Sequence, residues 1–543
     1  MSVLQRVLRP VAFVAGAHAR SEARRFVEAQ RHVRQTQDEL LRRLIDSSRG
    51  SQFHADHSLG TVRTYEEFVR AVPLRDCESL RPYMDQVYNG HPEALFAPGT
   101  AISMFAITSG TTGEPKHIPV TQEFMRAYRR GWNVWGVTAL DAHRKTWLRK
   151  LVTLTSSCRE SLSPTGIPCG AISGMLAETQ KWVVKKMYPV PAATREIHDP
   201  VAKLYTALRA SITHDVGMLT TANPSSLTRL AEVGQDHAER LIRDVHDGSY
   251  LPPGEVSSEL RKHFHFVPHP RVARRLDGLL KQHGRLLPRH YWDLSLIGNW
   301  TGGTLGLYLP RVREFYGDVP TRDIGLLASE GRMSVPISDS TPAGVAETIS
   351  NFLEFIPSEQ IESPRPAVLR VHELQEGQEY FIVLTNWAGL WRYSIDDRVR
   401  CVGFFEQTPL IEFLSKGLHT SSITGEKVTE HQVVQAMHLV AKELPSLETF
   451  ELQGCFGNPP FYRLRVEAIE GVDFADLARR LDEALKTINV EYESKRSTGR
   501  LGRIEPEVLH RGAFLALEAQ RISERRGRGE QYKHKYLLTD LVQ

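Results

Sequence analysis

The chain reads as an α/β protein with a large sheet core. Three observations predict this: its length, the alternation of helical and strand periodicities, and a change of texture near Lys416 that marks off a smaller unit. At 543 residues with 41% hydrophobic residues, it can bury a large core and is long enough for several domains. Apolar residues recur at helical spacing in residues 230–247 and 272–284, which reads as helix. By contrast AVLRVHEL (367–374), EYFIVLTN (379–386) and LWRYSIDDRVRCVGFF (390–405) are rich in β-branched and aromatic residues and read as strands. Helices and strands mixed in this way imply a layered α/β architecture.

Taken in order, the N-terminal VLQRVLRPVAFVAGAHA mixes arginines with a short apolar run interrupted by Pro10. That run is too short to span a bilayer, and RRFVEAQRHVRQTQDELLRRLI after it reads as a charged amphipathic helix rather than a mature secreted start. No later stretch approaches a membrane span, so the expectation is a soluble, cytoplasmic protein. The five cysteines, Cys77, Cys158, Cys169, Cys401 and Cys455, never fall at CxxC spacing, which suits reduced thiols rather than zinc or disulfides. Lys and Arg number 68 against 64 Asp and Glu, a balance that implies neither a nucleic-acid nor a membrane partner.

The stretch ITSGTTGEPKHIPVT (107–121) carries the chemistry. ISMFAI before it reads as a strand and TQEFMRAYRRGWNVW after it as a helix, placing the glycines in a strand-to-helix loop. Such a loop offers bare backbone N–H groups to phosphate oxygens, and Thr108, Ser109, Thr111, Thr112 and Lys116 add hydroxyls and a charge. It is no Walker A motif, since the lysine follows Glu114 and Pro115 rather than a glycine. Beyond Lys416 a helix (430–444), two strands (449–456 and 461–469) and another helix (474–488) form a unit of their own.

TSGTTGEPK resembles the phosphate loop of the acyl-adenylate-forming superfamily. Within it, the chain is identified as similar to the Gretchen Hagen family of acyl-acid amido synthetases, known from auxin and jasmonate conjugation. Supporting stretches run in order: VRAVPLRDCESLRPYMDQVYNGHPEALF before the loop, LLASEGRMSVPI like the family's YxSSE motif, FLEFIPSE, TNWAGLWRYSIDDRVRCVGFF like its third motif, and GEQYKHKYL like its NQYKxPR.

The resemblance implies an ATP- and Mg2+-dependent ligase in which a carboxylic acid is adenylated to acyl-AMP and an amine, an amino acid above all, then displaces AMP. It implies a large N-terminal α/β domain of the adenylate-forming type (residues 1–415), a hinge (416–426) and a smaller mobile C-terminal α/β domain (427–543). By the same resemblance Thr108, Ser109, Gly110, Thr111, Thr112, Gly113 and Lys116 hold the phosphates, and Glu330, beside Ser329, is the magnesium ligand. Gly303 and Thr304 border adenine and the acyl group, and Asp397 takes the ribose hydroxyls. Asp397 can alternatively pair with Arg392 or Arg398 as a plain structural residue. Lys533 matches the C-terminal lysine that swings into the site, with Lys535 as its neighbour and competitor. The acyl pocket is expected among the helices between about Leu151 and Ile297.

Departures from the family pattern are Leu326, where an aromatic would stack on adenine, and Ser394 and Asp396, where arginine and glycine stand. Two alternatives remain beside the amido synthetase: a ligase ending in a thioester with coenzyme A or a carrier protein, and a nucleotide-binding regulator with weakened turnover. The sequence does not give the acid, the amine or the oligomeric state.

Overall fold

A computed structural model describes residues 16–108, 116–302, 305, 308–417, 420–440, 447, 449–514, 516–517 and 536–542. Two compact units result, a larger one that ends at Leu414 and a smaller one that takes in Ser415 to Gln543. No helix among the described residues is long and apolar enough to cross a membrane.

The larger unit holds three main sheets. The biggest has seven strands in the order Ser334–Val335, Gly344–Ala346, Thr408–Lys416, Tyr393–Phe405, Glu379–Asn386, Asn351–Pro357 and Leu369–Arg370. Its central strands FLEFI and YFIVL alternate across a face packed on Phe68, Leu80 and Trp391, as β-branched and aromatic residues favour. The expected strands 379–386 and 390–405 are found as Glu379–Asn386 and Tyr393–Phe405. The expected strand AVLRVHEL is mostly not one: only Leu369–Arg370 pairs, and Val371–Glu373 is a 3-10 turn. The Glu373 carboxylate accepts the Arg370 backbone N–H at 2.7 Å, so a side chain takes the donor that a ladder would have used.

A second sheet is parallel throughout, in the order Lys150–Thr153, Val216–Thr220, Leu296–Gly298 and Thr321–Arg322. Helices Pro200–Ser211, Pro224–Asp236, Ala238–Asp247 and Pro270–His283 build the core against it. The helical stretch read at 230–247 is therefore two helices broken at His237. The third sheet runs Lys116–Thr121, Ile102–Thr108, Pro168–Gly170, Ser161–Leu162.

That third sheet corrects the strand-to-helix reading of the glycine loop. The loop joins two strands, and Lys116 opens the second of them. The helix starts only at Gln122, capped by the Thr121 hydroxyl, which accepts from the Phe124 N–H at 3.1 Å. The β-branched, largely buried HIPVT favours a strand here, so no helix N-terminus follows the glycines directly.

In the smaller unit four strands, Glu505–Leu509, Phe461–Glu467, Phe450–Cys455 and Leu537–Val542, form one sheet. Helices Glu430–Val440 and Phe474–Ile488 pack with it around Leu452, Leu464, Leu481 and Tyr492. Residues 420–426 belong structurally to this unit. Thr420 pairs with Thr429, and the buried Glu426 carboxylate accepts from Ile423 N, Thr424 N and Tyr462 Oη.

The deepest charged contact of the larger unit ties the segment around Tyr65 and Val72 to the seven-stranded sheet. Glu354, fully buried, accepts from Arg392 Nε at 3.1 and 3.0 Å and from the Tyr65 hydroxyl at 2.8 Å. Arg392 Nη2 is also 3.0 Å from Glu354 Oε1 but outside hydrogen-bonding alignment. Nη1 donates to the Val72 carbonyl. Removing one partner strands a buried charge, which costs about 3–5 kcal/mol. Glu354→Ala is expected to lower the denaturant midpoint of the larger unit accordingly, while Glu354→Leu combined with Arg392→Met recovers most of the loss. Equal losses in the single and double variants would contradict this account.

Candidate active site

Glu330 sits at the tip of a two-residue hairpin turn. Leu327–Ala328 pairs antiparallel with Gly331–Arg332, leaving Ser329 and Glu330 as the turn. Strands this short cannot hold a hairpin by their own ladder, and four hydrogen bonds to residues distant in sequence do so instead. The Ser329 hydroxyl donates to the Ile107 carbonyl at 3.3 Å, the penultimate residue of the strand that leads into the glycine loop. The Tyr128 hydroxyl donates to the Ala328 carbonyl at 3.2 Å. Asn386 Nδ2 donates to the Glu330 carbonyl at 2.7 Å, and Asn351 Nδ2 to the Arg332 carbonyl at 2.6 Å. The first, second and third motifs thus meet at one hairpin.

Glu330 itself is only 4% exposed. Burial above all, with a smaller push from the Glu330 carboxylate, holds the phenols of Tyr128 and Tyr393 far above the usual tyrosine range. Among the described residues no cluster of three or more His, Cys, Asp or Glu side chains converges as a metal cage would need. One hard carboxylate on a fixed turn is the donor set of a cation that arrives with nucleotide phosphates as its remaining ligands. Glu330 fits magnesium in that sense.

Behind the hairpin lies a charged layer that the sequence reading missed. Arg332 is buried, with its guanidinium 4.6 Å from the Trp132 ring centroid and donating to the carbonyls of Ile324 and Ser334. Burial lowers it to about 10. A Cβ on Gly131 would come within 2.3 Å of the Arg332 side chain, so the helix must carry glycine where the arginine crosses. Glu347 accepts from Ser350 N and Oγ, and burial pushes it up to about 7. Asp323 ties the two approaches to the site together. It accepts from Thr301 N and Oγ1 at 2.6 and 2.8 Å and from Gly325 N at 2.7 Å, one residue before Gly302 and one before Leu326. Burial pushes Asp323 up to about 6 despite those donors.

Asp397 owes its orientation to a bulge. Phe381 pairs with Arg398 and Val383 with Ser394, so Ile395, Asp396 and Asp397 together face the single residue Ile382. Bulges of this kind re-aim side chains beside functional sites. Asp396 has φ +60°, the left-handed region in which aspartate is one of the few tolerated side chains. The family pattern's glycine at this position has a backbone reason, and Asp396 keeps the shape. Arg392 pairs with Glu354, and Arg398 with Glu379. Arg75 adds a bridge to Tyr393 by exchanging backbone hydrogen bonds with Arg392 and Ser394 at 2.9 and 2.8 Å. The VRAVPLRD segment is thereby brought beside the bulge.

Leu326 is half-buried against the main core, its N–H donating to Ser334 Oγ at 2.9 Å. Thr108 ends the strand before the loop. Ser109, Gly110, Thr111, Thr112 and Gly113, the pair Gly303 and Thr304, and the lysines Lys533 and Lys535 lie outside the described residues. The Glu430 carboxylate accepts the N–H of Tyr536 at 2.7 Å, three residues past Lys533, and so anchors the start of the last strand. Asn386 and Arg332 were within reach of sequence reasoning, since they stand in the quoted TNWAG and LLASEGRMSVPI; Asp323 and Glu347 carry no local pattern.

Two outcomes are expected. Asp323 and Glu347 keep protons in the native state where the unfolded chain has released them, so their stabilisation is complete below about pH 4. It is lost as the pH rises through 6 and 7. Thermal midpoints measured from pH 5 to 8 should fall, and Glu347→Gln should flatten the slope; a rising midpoint would reverse the assignment. Asp396→Gly should raise stability by up to about 1 kcal/mol by relieving the left-handed backbone, and Asp396→Val should lower it, as denaturant titration will report.

Comparison with known proteins gives three family domains in order: the GH3 family N-terminal domain over residues 22–321, the central domain over 345–416 and the C-terminal domain over 431–541. The chain is 24% identical to jasmonoyl–L-amino acid synthetase JAR6 of Nicotiana attenuata, over 90% of this chain and 88% of that one. It is 22% identical to the 4-substituted benzoates–glutamate ligase GH3.12 of Arabidopsis thaliana, over 92% of each. The structure of the GH3.15 acyl acid amido synthetase in complex with 2,4-DB matches with TM-score 0.65 at 20% identity, over 95% of this chain and 94% of that one, a likeness of fold. Since the N-terminal domain alone spans more than half of the sequence and the other two follow it in register, the chain belongs to the GH3 family.

Proposed function

We propose that the protein is an ATP-dependent acyl-acid amido synthetase. The observation that carries this reading is the meeting of three motifs at the Glu330 hairpin, through Ser329 to Ile107 and Asn386 to Glu330. In the first half-reaction a carboxylate oxygen of the acid attacks the α-phosphorus of ATP, and pyrophosphate leaves. In the second an amine, an amino acid by analogy with the named relatives, attacks the acyl carbon, loses a proton and releases AMP.

Each chain residue has a task in this reading. The loop from Thr108 to Lys116 holds the phosphates with its backbone amides, hydroxyls and ammonium. Asp397, aimed by its bulge, accepts from the ribose hydroxyls. Glu330, with Ser329 beside it, holds magnesium, which when bound offsets charge on the phosphates. Gly303 and Thr304 border adenine, and Leu326 packs on it as an aliphatic wall. Lys533 comes from the smaller unit, which turns about the stretch between Lys416 and Thr420, narrower than the hinge expected at 416–426. That turning draws support from the way residues 420–426 are tied into the smaller unit's own core, leaving Lys416 and Gly417 to change direction.

Acid-dependent exchange of labelled pyrophosphate into ATP tests the first step, and mass spectrometry of products with amino acids or coenzyme A tests the second. Glu330→Ala is expected to abolish exchange without unfolding, and Asp397→Ala to weaken ATP by about 1–3 kcal/mol, the loss of charge-assisted hydrogen bonds. A thioester as the only product would overturn the amido reading, and parental exchange in Glu330→Ala would overturn the site.

A further inference from the structure

The edge strand Lys150–Thr153 of the parallel sheet points the same way as the strands that lead to Gly302 and to Leu326–Glu330. Its exit therefore opens at the same end of the sheet, the end where open α/β sheets take ligands. A cavity of about 480 Å3 lies there, between Thr153, Leu154 and Thr155 on one side and Tyr188, Val190 and Thr194 on the other. That volume suits a small organic ligand, and the position falls in the range expected for the acyl pocket.

The polar lining is unbalanced. Lys185, Arg195 and Lys203 face one carboxylate, Glu178. Glu178 is already beside Arg159 at 3.8 Å and the Cys158 thiol, while Lys203 Nζ donates to the Arg195 carbonyl at 3.1 Å. Lys185 and Arg195 have no carboxylate partner among the described residues. Thr194 is 3% exposed, and its hydroxyl makes no hydrogen bond, an omission that costs about 1–3 kcal/mol unless a ligand fills it. Burial raises the Tyr188 phenol above its usual range, which keeps it a donor.

Resting on the adenylation reading above, we propose that this cavity receives the tail of the acid substrate and that the tail ends in a second anionic group. An aliphatic or aromatic tail would shut Arg195 and the Thr194 hydroxyl away from water with nothing to pair them, a penalty that builds discrimination against such acids. An anionic end offers acceptors to Lys185, Arg195 and Thr194, while Leu154 and Val190 cover the carbon chain between the two ends. The carboxylate that reacts is the other one, presented toward the hairpin end of the sheet.

The test compares straight-chain monocarboxylic acids with α,ω-dicarboxylic acids and ω-phosphono acids of equal length. Pyrophosphate exchange is read for each, and calorimetric binding is read without ATP. A doubly anionic acid is expected to bind about ten-fold or more tighter than its singly anionic counterpart, the worth of one charge-assisted hydrogen bond. Arg195→Ala should collapse that ratio, and Arg195→Lys should restore much of it. Preference for the carboxylate or the phosphono end identifies the anion. Equal or weaker binding of the doubly anionic acids, or a ratio unmoved in Arg195→Ala, overturns the proposal. Binding through Arg195 without any exchange overturns the adenylation reading and keeps the pocket, whereas exchange with monocarboxylic acids alone does the reverse.

Discussion

The larger unit depends on the ion pair between Glu354 and Arg392. Glu354 comes from the strand Asn351–Pro357 and Arg392 from the turn before Tyr393–Phe405, and with the Tyr65 hydroxyl and the Val72 carbonyl they bring in the N-terminal helices. A charge removed from water is tolerated only with its partner in place, so this pair fixes how the VRAVP segment meets the sheet. The part of the third motif around Asp397 starts beside it. The Arg392 carbonyl receives Arg75, Ser394 donates back, and the bulge that carries Asp397 begins immediately beyond.

The elements that the sequence made legible are those whose periodicity agrees with their surroundings. The strand EYFIVLTN and the helix FADLARRLDEALKTI appear at their expected residues, because pattern and burial point the same way. AVLRVHEL was misread because the Glu373 side chain captures the Arg370 N–H, an event decided by one hydrogen bond rather than by periodicity. The helix TQEFMRAYRRGWNVW appears where expected, from Gln122, but HIPVT before it, read as part of the loop, is an edge strand paired beside Ile102–Thr108, and local sequence does not announce that neighbour.

For the site the division is similar. Glu330, Ser329 and Asp397 were readable as motif members, since their chemistry demands a particular residue at a particular spacing. Asn386 stood in a quoted motif, and its hold on the Glu330 carbonyl became visible only in three dimensions. Arg332 stands in the quoted LLASEGRMSVPI, while Asp323 and Glu347 belong to no quoted motif, and the three form one buried layer. Their meaning arises from mutual packing: an arginine crossing a helix at Gly131, and acids whose depth favours the protonated form.

The bulge at Asp397 inserts two residues, not one. Along this strand Tyr393, Ile395, Asp397, Val399 and Cys401 are all buried, so the extra pair leaves the in-and-out alternation in phase on both sides. Side chains alternate with period two, and an insertion of even length is invisible to the core. Evolution could therefore lengthen or trim this strand in steps of two, gaining or losing the acid that faces the proposed ribose site, while every core position beyond it stayed where it was. An odd step would turn Val399 and Cys401 outward. Parity lets the site change independently of the sheet that carries it.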